Sequence, residues 1–185
     1  MGRFMNHKKW MAVIALAVTA LILTHLPVSE ADAAASASDF QTQGSTLVKY
    51  RGTEERVTIP DTVEVVGESA FENNQKVQFV VIPKSVKRLD AYVFWGCNNL
   101  EEVVLGKGLT AVDEYSFAGC TGLKQITIPE NIQSIDAQAF AGCVNLTDIY
   151  IPATVTGIAE DAFLNCDNVT IHADEGSVAA QFAQK

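Results

Sequence analysis

The sequence has few of the residue types on which catalysis and metal binding depend. Of its 185 residues only three are histidines, and His7 and His25 lie near the N-terminus, which leaves His172. No Ser/His/Asp set can be assembled around this single histidine. The four cysteines are spaced 23 residues apart, so the close Cys pairs that bind zinc are absent. We therefore expect no enzyme, no cofactor and no metal site.

Basic residues are also scarce. The chain has 13 Lys and Arg against 22 Asp and Glu, and its formal net charge is −9. Proteins that bind nucleic acids usually carry basic clusters that attract phosphate groups. We therefore expect no nucleic-acid partner, and the acidic balance is typical of a soluble exported protein.

The apolar run near the N-terminus is too short to cross a bilayer. Three basic residues precede this run, which covers 10–23 and is followed by small residues. A transmembrane helix needs about 20 apolar residues. The layout predicts a secretory signal peptide over 1–33, cleaved between Ala33 and Ala35. The alternative is an uncleaved membrane anchor, the only membrane contact that we expect.

The part that follows begins with a polar segment and continues as a repeat. Residues 34–45 are rich in Ala, Ser, Asp and Gln, which predicts a disordered leader. From there phenylalanine, cysteine and four of the five prolines each recur in one register every 23 residues. The two structural columns are Phe71, Phe94, Phe117, Phe140, Phe163 and Cys97, Cys120, Cys143, Cys166.

Each repeat predicts the same short series of elements. A strand ends at proline, a second extended piece follows, and a segment such as 136–140 fits one helical or 3₁₀ turn closed by Gly142. One unit cannot bury its apolar positions alone, so we expect five stacked units over 46–172. A strand at 47–50 is predicted to cap the first unit. A helix at 178–183, within the segment 173–185, is predicted to cap the last.

The columns Leu-x-x-Ile-x-Ile-Pro, Val-x-x-Ile and Ala-Phe-x-Gly-Cys resemble the BspA-type leucine-rich repeats of bacterial surface proteins. The match is clearest at 57–60 and 139–143, and it covers about 47–183. The resemblance implies a right-handed leucine-rich-repeat solenoid of α/β type, exposed outside the cell. Some members adhere to host matrix proteins or to other cells. The family shares no catalytic residue, so the resemblance implies no specific site.

Two columns of reactive side chains leave alternatives open. Cysteines on adjacent units are close enough for disulfides, and an exported protein meets oxidising conditions, but their parallel Cβ directions favour buried free thiols. Asp90, Asp113 and Asp136 form a second column that could bind Ca²⁺. Because Gly67 and Ala159 occupy the same column elsewhere, a solvated or helix-capping role is the favoured interpretation.

The outward side of the predicted strands is the candidate binding surface. Phe79, Val81 and Val104 are expected to lie close together, with Arg56 and Glu102 at the rim. Tyr150 belongs to the same face. The alternative is that β-branched and aromatic residues simply suit strands. A second, weaker candidate lies on the predicted helical side, where partial burial is the favoured explanation, and it consists of Tyr92, Trp95 and Tyr115.

These observations predict a secreted or cell-surface module for binding or adhesion. It would act as a monomer and recognise an extracellular protein or glycan through the strand face. The alternative function is a structural spacer or self-associating component of the cell envelope without a specific ligand. The two differ in a measurable way, because only the alternative predicts oligomers whose size depends on concentration.

Overall fold

A computed structural model describes residues 35–184, so the predicted signal peptide at 1–33 lies outside the described residues. Within the described range, a 3₁₀ turn at Ala37–Asp39 precedes thirteen short strands and one helix, α1, at Val178–Phe182. In this range no helix is long and apolar enough to cross a membrane. The strands are β1 Phe40–Gln43, β2 Thr46–Tyr50, β3 Arg56–Thr58, β4 Val65–Val66, β5 Phe79–Val81, β6 Arg88–Leu89, β7 Glu102–Val104, β8 Ala111–Val112, β9 Gln125–Thr127, β10 Ser134–Ile135, β11 Asp148–Ile151, β12 Gly157–Ile158 and β13 Thr170–Ala173.

Equivalent strands of successive units pair in parallel. In one ladder Arg56 pairs with Phe79, and Phe79 pairs with Glu102. In a second ladder Val65 pairs with Arg88. Because the period is constant, identical positions stack on one another and bury the apolar columns between the ladders. The predicted leucine-rich-repeat solenoid of short parallel strands is confirmed.

A column of stacked aromatic rings runs through the core. Phe117 stacks on Phe94 and on Phe140, with centroids 5.3 and 5.4 Å apart and planes within 8° of parallel. The column extends beyond the five predicted phenylalanines at both ends. Its members are Phe40, Tyr50, Phe71, Phe94, Phe117, Phe140, Phe163 and Phe182.

The solenoid has one more turn than the five predicted. Leu47 of β2 pairs in parallel with Val66, as Val66 pairs with Leu89. The Tyr50 N–H donates to the Ala70 carbonyl, the same bond that Phe71 makes to the next unit. The segment predicted as a cap strand is therefore itself a shortened N-terminal unit, which precedes the five regular units. Sequence reasoning missed this unit because tyrosine replaces phenylalanine and the spacing falls short of 23 residues.

The prediction of a disordered leader over 34–45 is wrong for most of that segment. Ser36 and Asp39 form a capping box at the 3₁₀ turn, and β1 pairs antiparallel with β2. The Phe40 ring packs against Tyr50 with centroids 5.1 Å apart. One buried aromatic ring orders a segment whose average composition indicated disorder.

The predicted helical turns are absent from residues 56–173. In the segment 136–140, Gln138 has φ 52°, whereas a helix needs negative φ throughout. These turns instead form a third ladder between units, in which the Phe71 N–H donates to the Val93 carbonyl. The Tyr92 N–H donates to the next unit, while the Tyr92 carbonyl accepts the Trp95 N–H within its own turn, so the left-handed residue takes part in bonds of both kinds. The α/β description therefore does not hold for the repeated units.

Both strand ladders are interrupted at the third unit. Among the described strands, β7 does not pair with β9, and β6 does not pair with β8. Gly106 replaces the proline of the other units, and a Cβ atom there would contact the carbonyl oxygens of Ile82 and Pro83. The turn ladder continues past this level, since the Tyr92 N–H donates to the Glu114 carbonyl.

The predicted C-terminal helix is present and ends one residue earlier than expected. Ser177 is its N-cap, and the Ser177 Oγ accepts a hydrogen bond of 3.1 Å from the Ala180 N–H. Ala179 is buried against the core, and the Phe182 ring lies 5.9 Å from that of Phe163. That the two ends act as caps stays a prediction.

Candidate functional site

The strand pairing brings together five of the six residues predicted for the binding surface. Arg56, Phe79 and Glu102 are consecutive in one outward column, and Val81 faces Val104 in the next. We call this set of five residues the strand patch. The Arg56 guanidinium carbon lies 5.2 Å from the centre of the Phe79 ring, which is within the range of a cation–π contact.

The strand patch combines a half-buried apolar centre with charged ends. Phe79, Val81 and Val104 are half-buried because each packs against its neighbours across the ladder, whereas Arg56 is exposed. The guanidinium covers part of the Phe79 ring and still offers its donors to solvent. The patch therefore presents a small apolar surface, with the N–H donors of the Arg56 guanidinium at one edge.

Tyr150 is not part of this patch. Thr127 separates it from the level of Val104, and the interruption between β7 and β9 falls in the same interval. Its side chain is only 7% exposed. Burial, followed by the charges of Asp174 and Glu130, raises the pKa of the Tyr150 hydroxyl.

Beside Tyr150 the structure shows a pair that sequence reasoning missed. The His172 Nε2 lies 2.8 Å from an oxygen of the Asp148 carboxylate. The two residues are 24 positions apart, and only the pairing of β11 with β13 brings them together. The last step between units is 22 residues, so extending the outward columns by the regular period would have placed Ile171 and Ala173 here instead of Thr170 and His172.

The four cysteines are free and buried. Each thiol donates to the carbonyl of a phenylalanine in the preceding unit, as Cys120 does to Phe94 at 3.2 Å and Cys143 to Phe117 at 3.1 Å. Burial raises the pKa of the Cys120 thiol well above its ordinary value. The column therefore holds adjacent units together as hydrogen-bond donors, a role that the sequence did not suggest.

Asparagine side chains add a second set of bonds between units. The Asn99 amide donates to the Gln75 carbonyl and the Asn145 amide to the Thr121 carbonyl, both at 2.7 Å. Asn168 makes a longer bond of the same kind to Val144. Asn145 and Asn168 stand in Asn-x-Thr sequences, and their side-chain amides donate to carbonyls of the preceding unit. The recurrence of asparagine at one repeat position was the available signal.

The aspartate column lies on the second strand ladder. Burial, followed by the charges of Asp136 and Asp90, raises the pKa of Asp113 to about 6. Arg88 forms an ion pair with Asp90 at 2.5 Å. Within residues 35–184 no group of three or more His, Cys, Asp or Glu is arranged to hold a metal ion.

The second predicted candidate is an aromatic cluster on the turns. Tyr92 and Tyr115 stack with ring centres 4.7 Å apart, and Trp95 meets Tyr92 edge-on at 87°. We call these three residues the turn triad. The tyrosines are half-buried, as expected, but Trp95 is 41% exposed. Packing alone therefore does not account for the tryptophan.

Comparison with known repeats decides the family. The profile of the BspA type leucine rich repeat region matches residues 49–170 in six copies. The chain belongs to this family. The six matched copies agree in number with the six turns of the structure, which are the five regular units and the shortened N-terminal unit.

Solved structures of bacterial leucine-rich-repeat proteins share the fold. A leucine rich cell surface protein of Faecalibacterium prausnitzii A2-165 is 35% identical with a TM-score of 0.70, over 75% of this chain and 37% of that one. The T. pallidum leucine rich repeat protein is 26% identical with a TM-score of 0.72, over 75% and 70%. A leucine-rich repeat protein of Bacteroides ovatus is 28% identical with a TM-score of 0.62, over 72% and 38%.

This chain thus spans less than two fifths of the first and third of these proteins. No protein of curated function matches it.

Proposed function

We propose that this chain is a secreted or cell-surface binding module that recognises an extracellular protein or glycan through the strand patch. It acts by binding rather than by catalysis, and as a monomer. The observation that carries this proposal is the outward apolar surface of Phe79, Val81 and Val104, with Arg56 and Glu102 at its ends. One structural relative is described as a cell surface protein, which supports the location.

The chemistry of the strand patch suits recognition of another molecule. Arginine and aromatic residues are enriched among the residues that dominate binding energy at interfaces. Here the guanidinium already lies over the Phe79 ring, so less side-chain freedom is lost when a partner binds. The parallel ladder also holds the patch rigidly, since β5 is paired on both edges.

The test uses residues 34–185 against purified extracellular matrix proteins and an array of defined glycans. We expect at least one ligand to bind, and the double variant Arg56→Ser/Phe79→Ser to weaken that binding by about tenfold or more. The matched control is Lys124→Ser/Gln125→Ser, which changes exposed residues on the same face beyond the interruption.

Equal binding by both double variants, or no ligand in either collection, would contradict the proposal. Light scattering of the same samples tests the monomer. Oligomers that grow with concentration, without a captured ligand, would instead indicate a structural spacer of the envelope.

A further inference from the structure

The turn triad has a backbone that does not require aromatic residues. Tyr92 and Tyr115 have φ 61° and 54°, in the left-handed region that bulky side chains rarely adopt. The same turn position holds Ser69 and Gln138 in other units, at similar φ. Because non-aromatic residues occupy this turn position in two other units, the aromatic side chains call for a reason outside the backbone conformation.

Trp95 is the exposed member of the triad, since the two tyrosines are half-buried and stack on each other. Trp95 meets Tyr92 in an edge-to-face contact at 87°, and this contact leaves 41% of Trp95 exposed. In the following units its column continues with the small residues Ala118 and Ala141, and then with Leu164, which is 47% exposed. Ala118 is buried and Ala141 is half-buried, so no side chain of this column projects from the solenoid between Trp95 and Leu164.

The turns that carry this surface are acidic. The stretches 68–76, 91–99, 114–122, 137–145 and 160–168 include a single basic residue, Lys76. Lys49, which reaches the first of these turns from β2, donates its ammonium group to the Ser69 carbonyl at 2.8 Å. The acidic residues of the stretches are Glu68, Glu72, Glu114, Glu160, Asp161 and Asp167.

Two of these acidic residues are neighbours of the triad in the turn ladder. Glu114 directly precedes Tyr115, and its carbonyl accepts the Tyr92 N–H. Glu72 precedes Trp95 by one unit in the same column, as shown by the bond from the Asn73 N–H to the Trp95 carbonyl. Aromatic faces attract ammonium and guanidinium groups, and carboxylates form charge-assisted hydrogen bonds with them.

We propose that the turn face, centred on Trp95 with Glu72 and Glu114, binds a cationic peptide segment rich in Lys or Arg. This goes beyond the strand patch, because it uses another face and names a partner chemistry. An uncharged glycan could stack on Trp95 but would gain nothing from the carboxylates. A second copy of this chain, with its net charge of −9, would be repelled.

Trp95 provides a direct reporter, because it is the only tryptophan in residues 34–185. The protein is titrated with a decapeptide of lysine while its tryptophan emission is recorded. We expect a saturable change in emission and an apparent affinity that falls as salt is added. The double variant Glu72→Gln/Glu114→Gln is expected to bind the lysine decapeptide at least about threefold more weakly.

A matched control separates a local effect from net charge. The variant Asp61→Asn/Glu130→Gln removes the same charge from exposed positions outside the turn stretches and is expected to keep the original affinity. Phe79→Ser, in the strand patch, is also expected to keep it, so failure of one surface is distinguishable from failure of the other. Equal weakening by both charge variants, no saturable change with oligolysine, or a saturable change with an uncharged hexasaccharide alone would overturn the proposal.

Discussion

Left-handed backbone at polar and aromatic residues is the distinctive feature of the turns. Four units have such a residue at the same position, with φ between 52° and 61°. The left-handed conformation costs a non-glycine residue roughly 1–2 kcal/mol, because its Cβ approaches the following carbonyl. The ladder between units compensates, since each of these residues places its neighbours in bonds to the next unit.

Gln138 offers a direct measure of this cost. Gln138→Gly is expected to raise the free energy of unfolding by about 0.5 kcal/mol, because glycine accepts positive φ while losing one surface bond to Asp161. The reverse type of substitution, Gly142→Ala at φ 71°, is expected to lower the free energy of unfolding by about 1 kcal/mol. Urea unfolding measures both, and a Gln138→Gly variant less stable than the parent would contradict the expectation.

Asp113 makes the stability depend on pH. Its pKa is about 6 in the folded protein against an ordinary value of 3.8, so the folded state holds the proton more tightly than the unfolded chain does. The stability contributed by this group is therefore present at pH 4 and is lost as the pH rises through 6. Asp113→Asn removes the ionisation and is expected to stabilise the protein above pH 7.

The expected gain at pH 7.5 is roughly 1 kcal/mol, reduced for solvent screening because the carboxyl group is half exposed. At pH 4 the variant and the parent should unfold at similar temperatures. Thermal unfolding at both pH values tests this, with the exposed Asp61→Asn as the control. A constant difference between Asp113→Asn and the parent at the two pH values would contradict it.

At the scale of elements, the third unit differs from its neighbours. Where the other units have proline after the strand, this unit has Gly106, and a strand pairing is missing in each ladder at this level. The loop lies so close to the second unit that no side chain fits between them. The interruption separates the strand patch from Tyr150 and the His172–Asp148 pair.

Gly106→Ala tests the close approach. The new Cβ would contact the backbone oxygens of Ile82 and Pro83, which cannot rotate away, so we expect a loss of about 1–3 kcal/mol. Gly157→Ala is the matched control, because its Cβ would meet only the Ser134 Cβ at 3.9 Å. Thermal unfolding should show several degrees of destabilisation for the first variant and little change for the second.

Across the whole molecule, three continuous systems join one unit to the next. They are the aromatic column, the thiol bonds to phenylalanine carbonyls and the turn ladder. Each unit contacts only its neighbours, so local opening should start at the ends and spread inward. The cysteines report on this, because they occupy four successive levels.

A thiol reagent at pH 8 should therefore modify Cys166 first. Cys166 is 6% exposed in the last unit, whereas the other three thiols are fully buried. Burial also raises the pKa of Cys97 to about 12, which keeps that thiol protonated and unreactive. Mass spectrometry of the labelled peptides gives the order. Equal labelling rates for Cys97 and Cys166 would contradict end opening, and fewer than four reactive thiols in denaturant would indicate disulfides.

The sequence could predict the repeat because a constant period places like residues at like positions in every unit. Five residues of the strand patch followed from that period, since strand pairing between units shifts each residue by one repeat. The shortened N-terminal unit and β1 could not be predicted in this way. They break the period, and only the contacts of Tyr50 and Phe40 with the aromatic column reveal them.

The sequence by itself determined the solenoid, its core columns and the composition of its two candidate surfaces. The tertiary structure decided that each of four turns contains a left-handed residue and bonds to the next turn. It also decided that Tyr150 is separated from the strand patch and that Trp95 faces solvent. The physical reason is that the repeat spacing identifies which residues are neighbours but not the backbone dihedral angles that set the directions of their side chains. Those angles depend on hydrogen bonds between units, which form only when the units are stacked.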